Sequence, residues 1–137
     1  MPEYKKIVRL ALLSAALYFL FQATTGGALA REAMIVEIEG AIGSGASTFL
    51  TRALESAEDR GSAILIIRLD TPGGLNASMK SMVKTILNSH IPVVVYVSPR
   101  GASAASAGVL VTVAAHVAAM SPGTNIGAAH PVQSDGS

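Results

Sequence analysis

The sequence predicts an α/β domain on a parallel sheet, and two observations carry that prediction. Stretches of strand type alternate with amphipathic or alanine-rich stretches of helical length along residues 33–132. The middle strands, "SAILIIRLD" at 62–70 and "PVVVYVS" at 92–98, are nearly continuous Ile, Leu and Val, the pattern of strands buried on both faces of a parallel sheet. Right-handed crossovers follow from this order.

Taken in order, "AMIVEIEGAI" at 33–42 alternates and reads as the first strand, broken by Gly43 and Gly45. "ASTFLTRALESAEDR" at 46–60 places Phe49, Leu50, Ala53, Leu54 and Ala57 on one helical face and Glu55, Glu58, Asp59 and Arg60 on the other; Gly61 ends it. The 62–70 strand leads through the turn "TPGGL" to a helix over 76–89, with Met79, Met82, Val83, Ile86 and Leu87 inward and Asn76 or Ser78 as its cap. Pro92 opens the third strand. Length and alanine content predict a helix over 102–116, and 117–132 reads as a short strand with a glycine-rich loop.

Ahead of this domain, residues 1–30 have the layout of a secretory signal peptide. Lys5, Lys6 and Arg9 precede an apolar run from Leu10 to Phe21, and the small residues that follow close on Ala28-Leu29-Ala30, which predicts cleavage before Arg31. The run falls short of the roughly 20 apolar residues of a membrane span. The domain over 31–137 is therefore expected to be exported, on the periplasmic or extracytoplasmic face of the membrane. Its polar ending, "HPVQSDGS", closes no sheet and predicts that these residues are the N-terminal part of a longer protein.

Composition narrows the chemistry. Half of the 137 residues are hydrophobic, enough for one domain with a core but too short for two. A net charge of +1 and an aromatic content of 4% offer neither a phosphate-tracking surface nor a base-stacking platform, so nucleic acid is not an expected partner. The absence of cysteine excludes a disulfide framework, a thiolate nucleophile and a cysteine zinc site. No metal-ligand spacing occurs, and no cofactor is expected. Any nucleophile must be a hydroxyl, an amine or a carboxylate.

Functional groups of parallel α/β sheets collect at the carboxyl ends of the strands. Three stretches fall there: "DTPGG", "SPRGASAASAG" and "SPGTNIGAAHP". Ser106 lies in the opening turns of the predicted 102–116 helix, where N–H groups lack helical acceptors. Gly73 and Gly74 let a reacting carbonyl approach their N–H groups, and with the N–H of Ala107 they compose an oxyanion hole. Taken singly, small residues at a helix start and a Pro-Gly-Gly turn are structural features; together at adjacent loops they favour a site.

"LDTPGGL", "ASAASAGVLV" and "AAMSPGTNIGAAHPV", in this order, resemble the ClpP/crotonase-type serine peptidases, and most closely their NfeD branch, the membrane-associated partners of stomatin-like proteins. The resemblance covers Ala33 to Val132 and implies a spiral of β-β-α units with mostly parallel strands. It also implies Ser106 as nucleophile, Gly73 and Gly74 as the oxyanion and substrate-strand loop, Ala107 as the residue completing the hole, and a homo-oligomer. Its general base is a lysine downstream of the "IGAAHP" motif, yet no lysine follows Lys84 here. A serine hydroxyl without a base within hydrogen-bond reach is a weak nucleophile, so this chain alone is expected to be a poor protease.

His130, 24 residues after Ser106, is the possible alternative base within the chain. His116 reads as a C-terminal helix cap, His90 as a surface loop residue, and Asp70 as a carboxylate that binds nearby backbone N–H groups. Three functions are therefore weighed. The first is an exported Ser-Lys endopeptidase domain acting on hydrophobic segments of membrane proteins, such as a stomatin-like partner; the second is a non-catalytic peptide-binding or assembly module of the same fold. The third, a crotonase-like acyl-CoA enzyme, conflicts with an export signal because CoA chemistry is cytosolic.

Overall fold

A computed structural model describes residues 3–4, 7–8, 12–18 and 32–129. The chain forms two compact units, 1–30 and 31–137. In the first, residues 12–18 are helical; the expected Ala28-Leu29-Ala30 cleavage motif lies outside the described residues. Among the described residues no helix is long and apolar enough to cross a membrane.

The second unit runs β1 (Ala33–Glu39), α1 (Ser44–Asp59), β2 (Ile64–Asp70), α2 (Asn76–Leu87), β3 (Val93–Val97), β4 (Ser103–Ala105), α3 (Ala107–Val113), β5 (Val117–Met120) and β6 (Asn125–Gly127). Strands β1-β2-β3-β5 form one sheet, in that order, and β4-β6 a second; every pairing is parallel. The α/β class and the mostly parallel strands are thus as expected.

Period-two geometry sorts the main sheet into two unlike faces. Register aligns Val36 with Ile67 and Val95, and Ile38 with Leu69 and Val97, on one face. These rows join Leu50, Leu54, Met82 and Ile86 of α1 and α2 and Val111 of α3 in one core. Each fully buried Leu or Ile contributes about 1.5–3 kcal/mol relative to exposure. The other face carries Ile35, Ile66 and Val94, then Glu37, Arg68 and Tyr96. There Arg68 pairs with Glu37 and donates to Ser98 Oγ at 3.3 Å. The expectation that β2 and β3 are buried on both faces is corrected: the burial alternates, complete toward the helices and partial on the other side. Continuous Ile and Val report strand propensity here rather than two-sided cover.

Several local expectations also shift. Gly40, at φ +88°, ends the first strand, and Gly43 is the N-cap of α1. Phe49 and Leu87, expected inward, are exposed, because each lies at the border of its apolar stripe. Helix α2 starts after Leu75 with no side-chain cap, so neither Asn76 nor Ser78 has the capping role; Ser78 is buried instead.

The largest correction concerns 102–116, expected to be one helix. It divides at Ser106 into β4 and α3. Strand β4 forms because partners distant in sequence flank it: Thr71 bridges Ala104 on one side and β6 pairs on the other. Helix propensity, a weak prior even for alanine, yields to that tertiary ladder.

Candidate active site

Four backbone segments converge on Ser106. At the end of β2, Thr71 N–H donates to Ser103 O at 2.6 Å and Thr71 O accepts from Ala105 N–H at 3.0 Å, tying the strand end to β4. Asp70 Oδ1 accepts the Ser103 N–H at 2.9 Å, the backbone role expected for that carboxylate. On the far side, Ser106 N–H donates to Gly127 O of β6 at 2.9 Å. The chain must then turn from strand into α3 within one residue, and Ser106 does so at φ 50°, ψ −114°. A non-glycine residue there costs on the order of 1–3 kcal/mol, and such strain clusters at functional sites.

Ser106 is half-buried, and its Oγ makes no hydrogen bond within the described residues. Gly73 lies against it: a Cβ added at Gly73 would stand 2.8 Å from Ser106 Cβ and 3.3 Å from Ser106 Oγ. The serine side chain therefore occupies space that only a glycine leaves open. Gly74 is equally constrained from behind, since an added Cβ would meet Ile42 O at 2.2 Å. Ile42 bridges Gly74 in parallel, its N–H donating to Gly73 O at 2.8 Å while Leu75 N–H donates to Ile42 O at 2.8 Å.

The three amides expected around an oxyanion are not equivalent. Gly73 is buried and its N–H donates to Thr71 Oγ1 at 3.1 Å. Gly74 is exposed, and its N–H has no protein acceptor among the described residues. Ala107, the first residue of α3, likewise has no helical acceptor for its N–H. Two open donors, Gly74 and Ala107, thus flank the residue pair Gly73–Ser106. Thr71 is a further member of the constellation, not among the expected site residues; its position two residues ahead of Gly73 in "TPGG" is the sequence signal, since a threonine hydroxyl bonds the backbone two residues on.

The histidines divide. His130 lies outside the described residues. His90 is exposed, as expected, and its backbone N–H donates to Glu58. His116 is not a helix cap: α3 ends at its C-cap Ala114, and His116 Nδ1 accepts the Val93 N–H at 3.1 Å. Among the described residues no cluster of three or more His, Cys, Asp or Glu side chains could hold a metal ion.

The family model described as "NfeD1b, N-terminal domain" matches residues 32–137. The chain is similar to the membrane-bound protease PH1510 of Pyrococcus horikoshii, 44% identical over 98 residues that make up 72% of this chain and 22% of that protein. It is 36% identical over 102 residues to the membrane protein NfeD1b of Bacillus subtilis, covering 74% of this chain and 23% of that one. The chain thus spans less than a quarter of these relatives' length.

Among solved structures, the 1510-N membrane-bound stomatin-specific protease, as a lysine-to-alanine mutant in complex with a substrate peptide, superposes with a TM-score of 0.74 at 42% identity, covering 80% of this chain and 52% of that one. ClpP1 from Listeria monocytogenes superposes with a TM-score of 0.61 at 20% identity, over 74% of this chain and 61% of that one, a likeness of fold alone. The fold is therefore ClpP-like. By the match over residues 32–137, the chain belongs to the family of NfeD1b N-terminal domains.

Proposed function

We propose that residues 31–137 form the nucleophile-bearing part of a serine endopeptidase in which Ser106 attacks the scissile carbonyl. Gly74 and Ala107 N–H groups stabilise the oxyanion, and Gly73 supplies the space beside the nucleophile. The observation that carries this reading is the conformation of Ser106: a strained serine whose Oγ is free among the described residues, flanked by two amide groups that have no protein acceptor among them. A hole of this kind is commonly the largest single term in acyl transfer. The substrate class is a hydrophobic segment of a membrane protein such as a stomatin-like partner, a reading supported by the relatives named as stomatin-specific proteases. The working form is a homo-oligomer.

The base is a lysine supplied beyond Lys84 in the full-length protein, as in the Ser-Lys chemistry that the resemblance implies. Fluorophosphonate labelling and peptide hydrolysis by the full-length protein test both assignments. Ser106→Ala should abolish labelling, whereas His130→Ala should leave it undiminished; loss of labelling in His130→Ala would make the histidine the base. Residues 1–30 direct export, and N-terminal sequencing of protein recovered from cells should begin at Arg31. An N-terminus at Met1 in the mature protein overturns that assignment.

One observation favours a second reading, a peptide-binding module without catalysis. No basic side chain among the described residues is hydrogen-bonded to Ser106 Oγ, while the open N–H and C=O of Gly74 offer a peptide one position of strand addition. Binding of an apolar peptide by the full-length protein with no turnover and no labelling would select it.

A further inference from the structure

A trans peptide unit is planar, so its C=O and N–H point in opposite directions. The carbonyl of Gly73 and the N–H of Gly74 belong to one such unit. Whatever anchors the first therefore aims the second. Two groups hold that carbonyl: Ile42 N–H at 2.8 Å, and the Thr71 hydroxyl, which donates to it at 3.2 Å. The same hydroxyl oxygen accepts the Gly73 N–H at 3.1 Å. Both hydrogen bonds of the Thr71 side chain thus go to Gly73.

Thr71 is fully buried, with 0% of its surface exposed. A hydroxyl in that position is costly unless bonded, and a valine would fill the same space without the cost. The hydroxyl serves nothing else within the core, because its partners are the two backbone groups of Gly73. Its methyl has a separate contact: an added Cβ at Gly108, in the first turn of α3, would stand 2.5 Å from Thr71 Cγ2. One side chain therefore touches both halves of the site, the loop that carries Gly74 and the helix that begins at Ala107.

We propose that Thr71 is a positioning residue for the oxyanion hole: its hydroxyl orients the Gly73–Gly74 peptide plane so that Gly74 N–H, and not Gly73 N–H, faces the reacting carbonyl beside Ala107. This rests on the serine-peptidase reading of Ser106. Gly73, at φ +115°, has the conformational freedom to let that plane rotate, so Ile42 alone is one anchor against a soft hinge. Without the hydroxyl, the Gly73 N–H loses its buried acceptor and the plane is free to turn toward another. The ground-state complex, bound through the substrate backbone, needs no oxyanion donor; the transition state does. The effect belongs in kcat rather than KM.

The test uses the full-length protein on a fluorogenic apolar peptide, with Thr71→Val, Thr71→Ser, Thr71→Ala and Ser106→Ala compared. Thr71→Val should lower kcat by about 30- to 100-fold with KM changed less than about threefold, as for a displaced oxyanion donor. A kcat for Thr71→Val within about threefold of wild type, or a loss carried by KM, overturns the proposal. Should Thr71→Val fail to fold, the Ser and Ala variants decide, since they differ only by the hydroxyl. A kcat at least about tenfold higher in Thr71→Ser supports the clamp, and equal values overturn it. Ser106→Ala separates the two levels: turnover retained there overturns the peptidase reading and this proposal with it. Turnover lost in Ser106→Ala but kept in Thr71→Val overturns the proposal alone.

Discussion

Gly73 and Ser106 share a single volume: a Cβ on the glycine would approach the serine Cβ to 2.8 Å. Gly73 also sits at φ +115°, a region closed to L side chains. Gly73→Ala must therefore displace either the loop or the Ser106 side chain. Fluorophosphonate labelling should fall by about 100-fold or more, because a displacement near 1 Å costs that much in positioned chemistry. Labelling of Gly73→Ala at the wild-type rate would mean that the two residues do not meet.

Ser106→Gly separates stability from activity. Glycine accepts φ 50°, ψ −114° without strain, which relieves on the order of 1–3 kcal/mol and exceeds the 0.5–1 kcal/mol of added chain entropy. Urea unfolding should show a gain of about 1 kcal/mol at unchanged m, with labelling abolished. A stability equal to or below wild type would argue that the Ser106 backbone is relaxed.

Gly74 and Gly108 are constrained by backbone and by Thr71 respectively. An alanine at Gly74 meets the Ile42 carbonyl oxygen at 2.2 Å, and one at Gly108 meets Thr71 Cγ2 at 2.5 Å. Gly74→Ala should separate the Ile42 bridge and destabilise by roughly 3 kcal/mol or more, while Gly108→Ala, where a side chain can yield, should cost about 1–3 kcal/mol. Chemical denaturation of both variants checks the order; the reverse ranking contradicts it.

His116 is structural. Its Nδ1 accepts the Val93 N–H at the start of β3, and its own N–H donates to Val93 O at 3.0 Å. His116→Ala removes only the side-chain acceptor and should cost about 1 kcal/mol, with His116→Asn recovering part of it. Peptidase activity should be unchanged in both. A selective loss of turnover in His116→Ala would point instead to a role in the reaction.

The legible parts of this molecule are the local ones. Alternation of Val36 and Ile38 with Glu37 and Glu39 announced β1, and the Leu50-Ala53-Leu54-Ala57 stripe announced α1, because burial on one side of a period-two or period-3.6 element leaves its mark in neighbouring residues. "TPGG" and "ASAASAG" marked the segments that meet at Gly73 and Ser106, since close approach of two backbones needs small residues. The break of 102–116 into β4 and α3 is not legible for the opposite reason: nothing within "ASAA" says that Thr71 and Gly127 stand on either side of it.

By itself, then, the sequence determined the α/β class, the parallel order of strands and helices, the family and the candidate nucleophile Ser106. Tertiary structure decided which amides are open. Gly73 and Gly74 are the same residue type in adjacent positions, and no local pattern distinguishes them. The Thr71 hydroxyl occupies the N–H of one, and the Ile42 bridge together with that hydroxyl turns the other outward. Hydrogen-bond direction within a peptide plane is set by what meets its far side, and those partners come from different strands.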